Sequence, residues 1–503
     1  MTTPTPVTPI DAEDSEVVDR LGAAAIDTPT ALLDRIAAGG ATVLTDDATR
    51  AEAGRDWWPL AIGWAAEGGV PQRPRAVVRP SSTEQVAAVL AACNEAVVPV
   101  TPAAGRSGVC GGAIPVHGGI ALDLTALDGI AAVDETSLTA DVRAGTFGPD
   151  LEAALSKVGT GYTLGHWPQS MDLSTVGGWL ACRGAGQYST RYGKIEDMVI
   201  GLEVVLADGR IVQTEGKGPR AATGPNLTQL FVGSEGTLGV ITEARLCIHP
   251  RPPAEQRRAY GFATFDAGLE ACRRILRRGA TPAVLRLYDR TESGRNFEQP
   301  DTNVLIVLDE ADPDVLAGSM AVVDAECSPA ADARALDDGL VERWLGHRND
   351  VSQLAPLWRA GVVVDTAEIS GRWAVLSQLF EEVVGALTAI DGTLAASCHQ
   401  SHAYSDGACL YFTFGGRGPE GDDEWRERYY RQAWDAVTDA TLAHGAAISH
   451  HHGIGLNRSR FLPRALGSGF EVLRGLKHTF DPKGILNPGK LGLASPFGPA
   501  PWT

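Results

Sequence analysis

Cysteine is scarce, with eight residues in 503, at positions 93, 110, 182, 247, 272, 327, 398 and 409, and no CxxC or closely spaced pair. That spacing excludes a disulfide scaffold, a zinc knuckle and a dithiol redox couple, and it favours reduced, mostly buried thiols in a cytoplasmic protein. Basic runs are missing too. Lysine and arginine number 43 against 62 aspartates and glutamates, a formal charge of −19, so the clustered cations that carry nucleic-acid binding are absent. No apolar stretch approaches the ~18 residues that span a bilayer. Met1 to Asp11 is Thr/Pro-rich, with neither a basic start nor an apolar segment, so a soluble, unexported chain is expected. The last residues carry no lipidation or retention signal. There is no G-x-x-x-x-G-K-[ST], which disfavours a P-loop, and no internal repeat of 20 to 50 residues is visible.

What is present is ordinary globular composition, 44% hydrophobic and 21% charged, in a chain long enough for two or three domains of about 150 residues. Residues 1–74 begin polar, become patchily helical and end in Asp56-Trp57-Trp58-Pro59, so they read as a helical extension packed on the main body. Regular organisation starts at Arg75. Ala76 to Val78 is a short strand, and Ser81-Ser82-Thr83-Glu84 reads as a capping box for a helix over about 83–96. A strand from Val97 to Thr101 then completes a βαβ unit. Strands are expected near 119–124, 130–134, 138–144, 199–206 and 211–214, with a helix at about 149–158. From 251 to 444 longer helices alternate with strands such as 283–288, 303–308, 361–366 and 410–414, which reads as a second, α+β domain. A helix over about 423–444 leads into a tail, 445–503, punctuated by turn residues.

Three Gly/Ser/Thr-dense loops are candidates for one extended, phosphate-bearing ligand. The first is Ala103-Ala104-Gly105-Arg106-Ser107-Gly108-Val109-Cys110-Gly111-Gly112, whose missing side chains let backbone N–H groups approach an anion. Its glycines do not follow G-x-G-x-x-G, so a Rossmann site is disfavoured. The second is Gln169-Ser170-Met171-Asp172-Leu173-Ser174-Thr175-Val176-Gly177-Gly178, followed by Cys182-Arg183-Gly184. The third is Gly233-Ser234-Glu235-Gly236-Thr237-Leu238-Gly239-Val240-Ile241-Thr242.

The order of these blocks, together with Leu486-Asn487-Pro488-Gly489-Lys490, resembles the flavoproteins of the vanillyl-alcohol oxidase (PCMH) type. Within them, Thr223-Gly224-Pro225, Arg286-Leu287, Gly407 to Phe412 and Ser449-His450-His451-His452-Gly453 are most similar to the alkyldihydroxyacetonephosphate synthase-like branch. The resemblance covers about 75–495 and implies an α+β fold. A two-subdomain FAD-binding domain (75–250) is followed by an α+β cap domain (251–444) and a C-terminal segment (445–503) that returns to the FAD domain. It also implies FAD held at Ala103, Ala104, Gly105, Arg106 and Ser107 and at Gln169, Ser170, Asp172, Ser174, Thr175 and Gly178. Further implied contacts are Cys182, Arg183, Gly184, Gly233, Glu235, Gly236, Gly239, Val240, Ile241 and Asn487. Some relatives tether flavin through a histidine just after the first loop. Here Gly108-Val109-Cys110 stands instead, so noncovalent FAD is expected.

On the substrate side, Arg286 resembles a cap-strand arginine and Tyr411 the family's catalytic tyrosine; a surface ion pair and a core aromatic are the alternatives. Three adjacent imidazoles cannot pack on one face of an element, and such runs concentrate where protons or metals are handled. His451 and His452 are therefore placed at the flavin, with His450 open to a structural reading. His402 could join Tyr411 and His452 in a polar cluster or be a satisfied structural imidazole. Arg348 resembles the carboxylate-binding arginine of flavin-dependent 2-hydroxy-acid dehydrogenases. The further arginine that ether-lipid synthases carry about ten residues later has no counterpart in Val351 to Leu357. Dehydrogenases of this type use a His/His/Glu metal set; Tyr411 and His451 replace two of its members, and no metal is expected.

These features imply an FAD-dependent oxidoreductase that moves a hydride from an alcohol or hydroxy acid to flavin N5. A transferase exchanging acyl for alkyl on dihydroxyacetone phosphate is the second reading, and a flavin-binding non-catalytic subunit the third. A small-molecule substrate with an anionic group is the expected partner, and a homodimer is left open.

Overall fold

The computed structural model describes residues 8–214, 218–349, 354–419, 422 and 424–502. Met1 to Val7 of the Thr/Pro-rich start, and Val351, Ser352 and Gln353 of the loop after Arg348, lie outside them. No helix among the described residues is long and apolar enough to cross a membrane.

The first sheet orders Thr42–Leu44, Ala76–Arg79, Ile120–Asp123 and Val100–Ala103, with the last three strands parallel. Its crossover helix, Thr83–Ala96, buries Val86, Val89, Leu90 and Cys93. Ser82 caps it by accepting from Gln85 N–H, and the residue that reaches back is Gln85, which accepts from Ser81 N–H at 2.8 Å. The Ser81-Ser82-Thr83-Glu84 pattern places Glu84 in that part, and the structure gives it to the next residue. The first 74 residues are likewise more than a helical extension. Besides the helices Thr30–Ala38, Asp47–Glu52 and Pro59–Ala65, they supply the edge strand Thr42–Leu44, too short to show a period of two in sequence. At the opposite edge, Leu486 of the tail forms a parallel bridge with Val100.

The second sheet orders Ile211–Gln213, Val199–Val205, Val240–Cys247, Thr139–Arg143 and Ile130–Asp134, all antiparallel. A third, seven-stranded antiparallel sheet orders Ala333–Ala335, Ala254–Phe262, Asn303–Ala311, Val284–Tyr288, Thr393–Ala403, Gly407–Arg417 and Val362–Arg372. One face of it is covered by helices. Leu376, Leu379, Val383 and Leu387 recur at three and four along Trp373–Thr388 and join Leu285, Leu287, Leu410, Phe412, Phe414, Val363 and Ile369 in the largest core. Since strand side chains alternate, Arg286, Tyr288, His399, Tyr411, Thr413, Val364 and Thr366 point to the other face, into a cavity.

Candidate active site

The cavity has a volume of about 900 Å³ and lies between the first two sheets and the seven-stranded sheet. It is at the upper end of the range for ligand sites. All three glycine-rich loops reach it, and two of them pack face to face: a Cβ on Gly105 would sit 2.0 Å from the Leu173 carbonyl oxygen. The 449–455 segment closes on the first loop in the same way, since a Cβ on Gly455 would lie 2.1 Å from the Cys110 carbonyl.

Most of the residues expected to hold the cofactor line the cavity: Ala103 to Ser107, Gln169, Ser170, Ser174, Thr175, Gly178, Cys182, Gly184, Glu235, Gly236, Gly239, Val240 and Ile241. Four do not. Asp172 is exposed. Arg183 is the left-handed C-cap of helix Val176–Cys182, and its side chain turns outward to Glu196 at 3.3 Å. Gly233 packs on that Arg183 side chain. Asn487 acts one layer back, donating through Nδ2 to the carbonyls of Gly112 and Glu235 at 3.0 and 2.7 Å. These positions shape the loops rather than touch the space between them, a distinction a motif does not carry.

Arg106 tests the fit of an anionic cofactor. It stands in the left-handed region at φ 51°, and its buried Nε and Nη2 have no hydrogen-bond partner. Orphaned buried donors are costly, and a pyrophosphate beside this loop would satisfy them. Glu235 and Asn487 are also left-handed, at 49° and 39°. Non-glycine residues there cost on the order of 1–3 kcal/mol each and concentrate at functional sites.

Across the cavity, Arg286 is no surface ion pair. Only 8% exposed, it donates to Tyr288 Oη at 3.2 Å and to His399 Nε2 at 2.7 Å, and its partners are uncharged. Because a guanidinium can only donate, His399 accepts at Nε2 and donates from Nδ1 to Glu292, 2.7 Å away. Burial, reinforced by Arg286, keeps the ring neutral against the pull of Glu292. Burial opposes the charge on Glu292, but His399, Arg295 and Thr413 outweigh it and hold its carboxyl below the usual range. Arg348, just past helix Gly339–His347, sits 5.3 and 5.4 Å from the Tyr188 and Trp344 rings, and its Nη1 is buried without a partner.

Tyr411 stacks on His399 with ring centroids 4.8 Å apart. Its hydroxyl accepts from Thr366 at 3.1 Å and lies 3.4 Å from His452 Nε2. Burial pushes its phenol upward and the His452 imidazole downward. Below them is Glu368, fully buried in the strand paired with Tyr411. Its carboxylate accepts from the backbone N–H groups of His450, His451 and His452 at 3.2, 3.1 and 2.7 Å, from Ser449 Oγ at 2.8 Å, and from Arg458. His452 Nδ1 is 3.3 Å from it. Beyond Gly453, Glu235 takes the N–H groups of Ile454 and Gly455, at 2.5 and 2.8 Å. The histidine segment has no regular structure, and the fully buried Glu368 and the half-buried Glu235 supply its acceptors.

His402 does not bond to Tyr411. A bulge between Gln400 and His402 rephases the strand, so that Ser401 and His402 both face the cavity. His402 Nδ1 is 2.8 Å from Ser189 Oγ, and its ring stacks on His450 at 4.9 Å. Ser189 Oγ is 3.0 Å from Tyr404 Oη, which is 3.0 Å from His450 Nε2; His450 Nδ1 is 2.9 Å from His451 Nδ1. His402, His450 and His451 offer nitrogens within 4.8 Å of one another. The direct Nδ1 to Nδ1 contact is, however, a hydrogen-bond distance with the atoms facing each other rather than a common ion. Burial holds all three rings well below the ordinary imidazole value.

Glu292, Glu368, His399, Tyr404, Ser189 and Arg458 were not singled out in the sequence. An acid inside the apolar run Val362-Val363-Val364-Asp365-Thr366-Ala367-Glu368 was the one available signal, since a charge in a buried strand needs a partner.

Residues 74–215 match the FAD binding domain family and residues 251–491 the C-terminal domain of FAD linked oxidases. An uncharacterized FAD-linked oxidoreductase, YgcU, of Escherichia coli K12 is 32% identical over 433 residues, covering 83% of this chain and 89% of its own. Alkyldihydroxyacetonephosphate synthase of Dictyostelium discoideum is 30% identical, covering 84% and 74%, and glycolate oxidase subunit GlcD of Bacillus subtilis 30%, covering 83% and 89%. Among solved structures, an alkyldihydroxyacetonephosphate synthase superposes with TM-score 0.77 at 25% identity over 96% of this chain and 88% of its own. p-Cresol methylhydroxylase with substrate bound superposes at 0.74 and 16% identity over 92% and 97%, a likeness of fold. With the domain matches, the interlocked loops and the orphaned Arg106 donors agreeing, the chain belongs to the FAD-linked oxidoreductases with a PCMH-type FAD-binding domain, and its cofactor is FAD.

Proposed function

We propose that the protein oxidises a small alcohol or 2-hydroxy acid carrying an anionic group, with FAD bound noncovalently between the glycine loops and the cap. The observation that carries this reading is the pair Arg286 and Arg348, two cavity-lining guanidiniums with no carboxylate partner among the described residues, in a chain of formal charge −19. A buried cation left unneutralised is costly unless a ligand supplies the anion, and guanidinium forks suit carboxylate or phosphate. When bound, FAD supplies a two-electron acceptor. Arg286, locked by Tyr288 and His399, and Arg348, flanked by two aromatic rings, orient the anion. Tyr411 and His452 form a phenol and imidazole couple that can take a hydroxyl proton, with Thr366 donating to the phenol and Glu368 beside His452 Nδ1. Gly108-Val109-Cys110 offers no histidine to tether flavin, and burial keeps the Cys110 thiol protonated.

The test is anaerobic addition of small hydroxy acids to the holoprotein. Bleaching of the flavin's visible band supports the reading, and inertness to a broad panel removes it. One observation favours the second reading, exchange of acyl for alkyl on dihydroxyacetone phosphate: the cavity wall continues through the apolar residues Trp57, Pro59, Leu354, Leu357 and Val364. Incorporation of labelled fatty alcohol without lasting bleaching would select it.

A further inference from the structure

Arg286 brings its charge to the cavity with no carboxylate touching it, yet one stands a single ring away. Its Nε and Nη2 donate to Tyr288 Oη and His399 Nε2 at 3.2 and 2.7 Å, and those two rings stack with centroids 5.0 Å apart. Of the five guanidinium hydrogens, both on Nη1 and one on Nη2 then have no hydrogen-bond partner among the described residues. They form the edge that grips two oxygens of a carboxylate or phosphate. His399 accepts at Nε2 only while its proton is on Nδ1, and the Nδ1 partner is Glu292 Oε2 at 2.7 Å. The other oxygen of Glu292 accepts from Thr413 at 3.0 Å and Ser397 at 3.2 Å and lies 3.3 Å from Arg295. Asp289 sets the two residues against each other. One of its oxygens accepts from the N–H of Glu292 at 2.8 Å, and the other from the N–H of Cys398, next to His399, at 2.7 Å.

We propose that Glu292 and His399 are positioning residues for anion binding: Glu292 keeps the His399 proton on Nδ1, and the bare Nε2 clamps the Arg286 fork at the cavity. A carboxylate set directly on Arg286 would occupy the fork and neutralise it. The imidazole spacer passes on the orientation and leaves the gripping edge empty. Charge and clamp give opposite signs for the loss of Glu292. Glu292 lines the same cavity as Arg286, so as a plain negative charge its removal should tighten the binding of an anion. As the anchor of the clamp, its removal orphans the buried Nδ1–H of His399, which is costly. The proton then gains by moving to Nε2, where it would face the Arg286 donors, and the anion should bind more weakly.

The clamp rests on the reading of Arg286 as the holder of the ligand's anion, and the experiment separates the two. Oxalate has no hydrogen on carbon and cannot give up a hydride, so its Kd is read from the shift it causes in the flavin's visible band of the holoprotein. Inorganic phosphate is the second probe. Glu292→Met and His399→Phe should each raise Kd roughly 10- to 100-fold, the range for a hydrogen bond to a charged group. His399→Gln, whose amide oxygen lies as many bonds from Cα as Nε2 does, should recover binding to within about threefold of wild type. In the His399→Phe background, where no clamp is left, Glu292→Met should leave Kd unchanged or lower it, whereas a packing defect would raise it again. In ligand-free holoprotein with ¹⁵N-labelled histidine at pH 7, His399 should be neutral with its proton on Nδ1. Wild-type affinity in Glu292→Met or His399→Phe, additive weakening in the double variant, His399→Gln as weak as His399→Phe, or a proton on His399 Nε2 would each overturn the clamp and leave Arg286 at the anion site. If Glu292→Met does not fold, the two His399 variants and the ¹⁵N spectrum decide. Wild-type affinity in Arg286→Met, or a wild-type protein that binds neither probe, would overturn the reading of Arg286 and the clamp with it.

Discussion

Replacing Glu368 by Gln tests the placement of the histidine segment most directly. The substitution keeps shape and removes the charge. Arg458, 1% exposed, then has no anion of its own, and one of the two oxygens that accept the N–H groups of His450, His451 and His452, Ser449 Oγ and Arg458 becomes an amide donor facing donors. Breaking a buried ion pair on one side costs about 3–5 kcal/mol. At roughly 2–4 °C per kcal/mol for a domain of 150–250 residues, the melting temperature should fall by about 6–20 °C. Arg458→Met in the same background should recover part of the loss, because the guanidinium no longer lacks its counter-ion. The pH dependence follows in sign. Burial raises the Glu368 pKa, but Arg458 and His452 outweigh it and leave the folded value well below the ordinary glutamate value of 4.5. The unfolded state thus binds the proton more readily; the stabilisation is complete above about 4.5 and is lost as pH falls from there through the folded value. Differential scanning calorimetry of wild type and variant at pH 7 and below pH 4 measures both effects. A variant melting within about 1 °C of wild type at pH 7 would refute the reasoning.

Arg106→Ala should weaken FAD binding about 10- to 100-fold, the loss of a hydrogen bond to a charged group worth about 1.5–3 kcal/mol, read from flavin fluorescence on dilution. Arg348→Met should raise KM for an anionic substrate by roughly 10-fold or more with a smaller change in kcat. Arg348→Lys should restore only part of it, since an ammonium lacks the planar fork; an unchanged KM would remove Arg348 from the substrate site. Tyr411→Phe should slow anaerobic flavin bleaching by about 10²–10⁴ while leaving the visible spectrum intact, and a rate within threefold of wild type would move the proton transfer elsewhere.

The elements legible in the sequence were those whose signals are local. Helix Thr83–Ala96 shows its apolar spacing and its Ser82 cap, and strand Ile130–Asp134 shows its turn-bounded run with the β-branched Ile130 and Val133. The glycine loops were visible because close backbone approach demands particular residues at particular places. What the sequence did not reveal depends on register. Glu368 pairs with Tyr411, and Tyr411 with His399, so residues 43 and 12 positions apart sit side by side on one face of the sheet. Nothing in the Thr393–Ala403 segment marks the bulge that turns His402 to that same face. Motif membership also failed to separate ligand contact from scaffold: Arg183, Gly233 and Asn487 hold loops in left-handed or close-packed conformations, and Asp172 points to solvent.

Two carboxylates, Glu368 and Glu235, explain why irregular backbone can hold a defined geometry here. Glu368 comes from the seven-stranded sheet and Glu235 from the third glycine loop, and between them they accept the N–H groups of residues 450, 451, 452, 454 and 455. Unpaired buried N–H groups are rare and costly, and this segment draws its acceptors from the seven-stranded sheet and the third glycine loop at once. Burial raises the pKa of Glu235, and the two N–H donors oppose it; the segment therefore helps keep charged the residue that holds it. Asn487, bonded to the Glu235 carbonyl, adds the tail to the same junction. Histidines placed in this way keep their distance from the flavin loops and from Tyr411 together, which a helix anchored in one domain would not do. A displacement of the seven-stranded sheet against the third glycine loop would have to break bonds to Glu368 or Glu235, so these two acids fix where the histidine segment stands between them.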